Sequence, residues 1–136
     1  PLYNLVDRKE FEDEYLDFVT KEHILVTSYK AIASGFLSGK YRKESDFNTT
    51  RASRGDFKKR YFNERAYKIL GLMDEISKES GASLTKIARA WKLSKPYITS
   101  AIASATTTTQ LKEIIEAQNV KLSKEQLKRL DEASNY

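Results

Sequence analysis

The run His23-Ile24-Leu25-Val26-Thr27-Ser28-Tyr29 decides the fold class of this chain. It is apolar, β-branched and of strand length, with no polar alternation, which is the pattern of a strand covered on both faces inside a parallel sheet. Upstream, the partly aromatic run Tyr3 to Val6, ended by Asp7, reads as the end of another strand. Between the two, Glu10 to Lys21 places Phe11, Tyr15, Phe18 and Val19 at helical spacing, with acidic residues early and Lys21 late, as the helix dipole prefers. His23, the single histidine, then reads as a residue at that helix's C-terminus.

Downstream, Ala33 to Gly55 is rich in Gly, Ser, Thr and charge and reads as a long loop. Asn63 is a candidate N-cap for a helix bearing Ile69, Leu70, Leu72, Met73 and Ile76 that stops at Ser80-Gly81. Ser83 caps a second helix bearing Leu84, Ile87, Ala88, Trp91 and Leu93, which must stop before Pro96. Ile98 to Ala103 reads as a further buried strand, Thr107 starts a helix through Leu111, Ile114 and Ile115, and Ser123 starts a last helix through Leu127 and Leu130. Strands followed by helices predict an α/β chain with a parallel sheet. Three strands leave two open edges, so the piece is expected to belong to a larger sheet or barrel, or to associate through those edges.

Composition narrows the class of function. The chain has 136 residues, 40% of them hydrophobic, which is enough for one packed domain. It has no cysteine, so disulfides, thiolate metal sites and a cysteine nucleophile are excluded, and no metal site is expected. No apolar run approaches the roughly 20 residues of a membrane span, so a membrane is not an expected partner and the cytoplasm is the expected compartment. The start, Pro1-Leu2-Tyr3-Asn4, has neither a basic n-region nor an initiator Met, so the chain reads as beginning inside a longer protein. A net charge of +5 favours an anionic partner. From Lys40 to Arg65, nine basic residues face four acidic ones, an excess equal to the whole net charge.

Three segments together resemble the C-terminal third of the aldo-keto reductases. They are Tyr3-Asn4-Leu5-Val6-Asp7-Arg8; Thr27-Ser28-Tyr29 followed by Ala33-Ser34-Gly35-Phe36-Leu37-Ser38-Gly39-Lys40-Tyr41; and Ile102-Ala103-Ser104-Ala105-Thr106-Thr107-Thr108-Thr109-Gln110-Leu111-Lys112-Glu113. The resemblance spans nearly all of residues 1–136 and implies the C-terminal portion of a (β/α)8 TIM barrel, with three parallel strands, corresponding to the sixth to eighth of the family, and flanking helices. It also implies binding of a nicotinamide dinucleotide, usually NADPH, and, in the complete protein, reversible reduction of an aldehyde or ketone.

Barrel enzymes build their sites at the C-terminal ends of strands and often hold phosphate near the last two loops. Tyr29 ends its strand there, and the resemblance implies that its ring stacks on the nicotinamide. Lys30-Ala31-Ile32 stand where relatives commonly have Ser-Pro-Leu, and with Ser34, Ser38 and Lys40 they form the expected phosphate-side loop. Arg51 matches a family position that contacts the 2′-phosphate of NADP, a dianion that suits a planar guanidinium. Ser104, Thr106, Gln110 and Glu113 lie where a strand meets a helix N-terminus, whose free N–H groups favour anions; the resemblance implies that Gln110 and Glu113 reach toward the adenosine. Ile114 stands where relatives commonly have an adenine-binding Asn.

The family's catalytic Asp, Tyr, Lys and His come from earlier strands and are not in this chain, so the piece alone is expected to be inactive. Its expected partners are a small carbonyl or alcohol substrate and the preceding part of the barrel. Two rival readings remain. Thr85 to Ile102 also looks like a DNA-binding helix-turn-helix, with Ala88 at the helix contact and Ser94 starting the second helix. Against it, Lys92 stands at the turn where Gly is usual, and Ile98-Thr99-Ser100-Ala101-Ile102 suits a strand, so nucleic acid is not the expected partner. A non-catalytic, dinucleotide-binding regulatory subunit is the other.

Overall fold

A computed structural model of the chain describes residues 1–48 and 55–136. Most of it is helical: α1 (Lys9–Glu14), α2 (Leu16–Lys21), α3 (Phe57–Tyr61), α4 (Glu64–Ser80), α5 (Leu84–Leu93), α6 (Thr108–Glu116) and α7 (Lys124–Ser134). The sheet is smaller than the expected three-stranded piece. It consists of β1 (Thr27–Ser28) and β2 (Ser100–Ala101), parallel, with Thr27 opposite Ser100 and Ser28 opposite Ala101. Leu2 joins Tyr29 in an isolated parallel bridge on the other side of β1.

The N-terminal segment corrects one expectation. Tyr3 to Val6 is not a strand, because Asn4 bends the chain with its own side chain. Its Oδ1 accepts from the amides of Val6 (2.9 Å) and Asp7 (2.9 Å), and its Nδ2 donates to Asp7 Oδ2 (3.0 Å) and to the Lys30 carbonyl (3.0 Å). An asparagine that satisfies the backbone locally competes with a sheet ladder. The consequence is a tie between the N-terminus and the loop after β1.

The helix ends follow local chemistry. Asn63, Ser83, Thr107 and Ser123 each accept an amide of the first helical turn through a side-chain oxygen, and Ser123 with Gln126 completes a capping box. Gly81 closes α4 at φ 72°. His23 does the same for α2 at φ 51°, and the Ile24 amide reaches back to the Val19 carbonyl at 2.9 Å. Asn63→Ala is expected to lower the stability by about 1 kcal/mol, with Asn63→Asp close to wild type, as read from urea midpoints. An alanine variant with an unchanged midpoint would show that this cap adds nothing.

The core gathers the apolar stripes of α4 and α5 around Trp91, Tyr3, Phe11, Phe36, Leu70 and Leu130. Tyr3 stacks on Trp91 (ring centroids 5.5 Å, planes 17° apart) and meets Phe11 edge-on at 5.3 Å. The described part of the expected long loop is packed into this core: Ala33–Ser38 and Glu44–Asn48 form short 3-10 turns that bury Phe36, Leu37 and Phe47.

Cover on the sheet is the main departure. Val26 and Ser28 are buried, whereas Leu25 is 79% exposed and Tyr29 43%. Among the described residues the His23 to Tyr29 run is therefore covered on one face only, with Val26 and Ser28 on the packed side. Likewise Leu111 and Ile115 of α6 and Ile102 after β2 are exposed rather than buried. The helix-turn-helix reading fails on position: where its second helix would lie, Thr99 donates to the Val26 carbonyl (2.9 Å) and Ile102 to that of Ser28 (2.8 Å), so the segment is strand. Among the described residues, no helix is long and apolar enough to cross a membrane.

Candidate functional site

A cleft of about 670 Å³ opens at the C-terminal ends of β1 and β2. One wall is the loop after β1, with Tyr29, Lys30, Ala31, Ile32, Ser34 and Gly35; a second is Ile102 to Ser104 after β2. Asp56, Phe57, Arg60 and Tyr61 close a third side, and Thr85 and Arg89 of α5 and Ile114 of α6 complete it. The volume is that of a drug-sized or nucleotide-sized ligand site.

Tyr29 is held by its backbone and free at its ring. Its amide donates to the Pro1 carbonyl (3.0 Å) and its carbonyl accepts from Lys92 Nζ (3.1 Å), leaving the ring half-exposed at the mouth with Lys30 Nζ 5.7 Å from its centre. The loop that follows is strained. Lys30 (φ 54°), Ala33 (φ 49°) and Ser34 (φ 55°) all take the left-handed conformation that side chains disfavour, and Gly35 follows at φ 99°. Such strain costs on the order of 1 kcal/mol or more per residue and tends to collect at ligand-binding loops. A Cβ at Gly35 would also meet Lys40 Cε at 3.0 Å and Nζ at 3.1 Å, a contact the flexible lysine end can relieve, so it is the φ of 99° that calls for glycine.

Of the residues singled out in the sequence, Tyr29, Lys30, Ala31, Ile32, Ser34 and Ser104 come together around this cleft. Others lie outside its walls. Ser38 donates to the Gly35 carbonyl at 2.7 Å, and Lys40 is exposed with its ammonium 5.0 Å over the Tyr41 ring. Gln110 Oε1 accepts from the Thr106 amide (2.9 Å) and hydroxyl (3.1 Å), and the Gln110 amide donates to Thr107 Oγ1 (3.2 Å). The Thr106 and Gln110 amides at the start of α6 are thus bonded within the turn itself. Glu113 accepts from the Ser83 hydroxyl and so ties α6 to the cap of α5. Arg51 lies outside the described residues.

The sequence reading missed the basic and aromatic groups lining the far side. Asp7 organises two of them, accepting from Tyr61 Oη (2.8 Å) and Arg60 Nη1 (3.1 Å). Burial, with the Asp7 charge second, pushes the Tyr61 phenol well above its ordinary pKa. Arg89 did carry a signal in the sequence: Thr85, Arg89 and Lys92, spaced i, i+4, i+7, form a polar stripe along one face of α5, and all three are buried.

A parallel strand pair feeding a strained loop and a nucleotide-sized cleft defines an α/β protein with a ligand site at its strand ends. The chain belongs to the aldo/keto reductase family, whose family model matches residues 1–135. It is 32% identical over 124 residues to a probable voltage-gated potassium channel subunit beta of Arabidopsis thaliana, covering 88% of this chain and 38% of that protein. It is 26% identical over 141 residues to an L-glyceraldehyde 3-phosphate reductase of Escherichia coli, covering 97% of this chain and 40% of the relative. A crystal structure of a thermostable aldo-keto reductase with the inhibitor epalrestat superposes with a TM-score of 0.68 at 26% identity, over 97% of this chain and 38% of that one. The chain thus spans about two fifths of the length of these relatives.

Proposed function

We propose that this chain is the C-terminal portion of a (β/α)8 aldo-keto reductase barrel. In this reading it supplies the end of the barrel, with the strand pair β1 and β2, and much of an NADP(H) site to an oxidoreductase acting on aldehydes or ketones. The observation that carries the reading is Tyr29, pinned through both backbone groups while its ring faces the cleft at a strand end. The open sheet face, with Leu25 and Tyr29 exposed, supports it too, because strand residues on that side would point into a barrel interior once the other strands were present.

The cleft fits the cofactor in size and in its donors: an exposed aromatic ring, a loop that brings backbone close, and the basic side chains of Lys30, Arg60 and Arg89. When bound, the dinucleotide would supply hydride to the carbonyl carbon. This chain's part is to hold it: Tyr29 would present one nicotinamide face, and Lys30 to Gly35 would pass beside the phosphates. Arg51 is assigned to the 2′-phosphate from the family pattern. The proton donor and its partners belong to the preceding strands, so turnover is assigned to the longer protein and not to this chain alone.

Fluorescence titration with NADPH and NADH tests the reading. Tyr29→Ala is expected to weaken both about tenfold, the equivalent of ~1.4 kcal/mol of stacking. Arg51→Ala is expected to weaken NADPH by a similar factor and leave NADH unchanged. Wild-type chain that binds neither nucleotide at millimolar concentration would sink the proposal. A dinucleotide-binding regulatory role is the second reading, favoured by the likeness to a probable potassium channel subunit; a longer protein that binds NADPH but reduces no aldehyde would support it.

A further inference from the structure

The least explained group in the structure is Arg89. It is 6% exposed, its side chain lines the cleft, and its Nε has no hydrogen-bond partner among the described residues. Burial pushes its guanidinium down from its ordinary value, with no neighbouring anion acting to restore it. Residues 49–54, Thr-Thr-Arg-Ala-Ser-Arg, carry no carboxylate that could do so. Asp56 is the acid on the cleft wall, and it is exposed. One turn along the same face, Lys92 is fully buried and gives its ammonium to the Tyr29 carbonyl, so it adds positive charge there and neutralises none. One turn the other way, Thr85 brings a hydroxyl to the same cleft. An uncompensated buried cation is unfavourable unless an anion joins it.

We propose that Arg89 is an anion receptor in the floor of the cleft, taking a phosphoryl group from a ligand that lies across Tyr29. The planar guanidinium matches phosphate oxygens in pairs, which an ammonium cannot do. The position is unlike a phosphate loop, since the donor comes from the middle of α5 and reaches the cleft from beneath. The phosphoryl group is carried either by the dinucleotide or by a phosphorylated substrate. The first case rests on the cofactor reading above and deepens it; the second stands without it.

The experiment is calorimetric titration of the full chain, and of Arg89→Met and Arg89→Lys, with inorganic pyrophosphate, glycerol 3-phosphate and NADPH. Methionine keeps the length and removes the charge, and its thermal midpoint should equal or exceed that of wild type, because an unpaired buried charge is gone. Affinity for the phosphoryl probes should fall at least tenfold in Arg89→Met and severalfold in Arg89→Lys. NADPH weakened in parallel with pyrophosphate assigns the group to the dinucleotide; glycerol 3-phosphate weakened with NADPH unchanged assigns it to the substrate. Probe affinities equal in wild type and both variants would overturn the proposal, as would a wild type that binds none of the three. Arg89→Met that melts earlier yet binds every probe as before would show instead that Arg89 answers a carboxylate elsewhere. The two readings fail separately: pyrophosphate bound through Arg89 with no NADPH binding sinks the cofactor reading alone, and NADPH bound equally by wild type and both variants, with pyrophosphate also unaffected, sinks the Arg89 proposal alone.

Discussion

Trp91→Ala is expected to remove about 3–5 kcal/mol of stability, the range for truncating a buried large aromatic, and so most of what a domain of this size possesses. The indole is fully buried and does more than fill volume. Its ring stacks on Tyr3, its Nε1 donates to Asp131 Oδ1 at 2.8 Å, and Arg8 and Lys95 lie over it at 5.4 and 4.8 Å. Losing it opens a cavity between the N-terminal segment and α5 and breaks the link from α5 to α7 at once. Urea denaturation followed by circular dichroism reads the effect, with Trp91→Phe as a partial rescue that keeps the stack and loses the hydrogen bond. A loss below about 1 kcal/mol for the alanine variant would mean that the site collapses without penalty and that Trp91 is not the centre of this core.

The second large effect is a pH dependence written into α5. Burial, with repulsion from Arg89 second, lowers the Lys92 ammonium from 10.5 to about 7. In the unfolded chain the group binds a proton near pH 10, and in the folded chain it does so only near pH 7. Between these values the unfolded state therefore holds more protons, and stability rises with pH; below pH 7 both states are protonated and the full penalty applies. At ~1.36 kcal/mol per pH unit the span sets an upper bound of about 5 kcal/mol, reduced by the Tyr29 carbonyl that receives the ammonium. Tyr3 and Tyr61 act in the opposite sense above pH 10. Burial raises both phenols, so the unfolded chain ionises them first and stability is lost there. Denaturation midpoints at pH 7 and 9.5 should thus differ in favour of the higher pH, and Lys92→Met should be more stable than wild type at pH 7 and flat across the interval. A wild type that is itself flat, or a methionine variant that is weaker at pH 7, contradicts this account.

What could be read from the sequence was whatever depends on neighbours along the chain. The caps at Asn63, Ser83, Thr107 and Ser123, the stop at Gly81 and the helix-terminal place of His23 all follow from side chains that satisfy amides within one turn or from a residue that takes φ above zero. The loop wall of the cleft from Tyr29 to Ser34 was legible through the resemblance to the aldo-keto reductases, carried by a strand that ends in an aromatic and passes into a glycine-bearing loop. The strands themselves were overread. Apolar runs at His23 to Tyr29 and Ile98 to Ala103 signal burial on two faces, yet among the described residues the second face is left uncovered, and strand pairing extends over two residues.

By itself, then, the sequence determined the helices from α4 to α7 with their caps, the parallel α/β class and the strand-end position of Tyr29, because short-range sterics and capping need no distant partner; the single helix read over Glu10 to Lys21 is instead broken at Tyr15 into α1 and α2, and α3 was not foreseen. Tertiary structure alone decided which polar groups were sealed away from water. Asn4 became a clasp on the Lys30 carbonyl, Lys92 a buried ammonium beneath Tyr29, and Arg89 an unpaired cation under the cleft. Their electrostatics depend on desolvation by residues far off in sequence, and no local pattern contains that quantity.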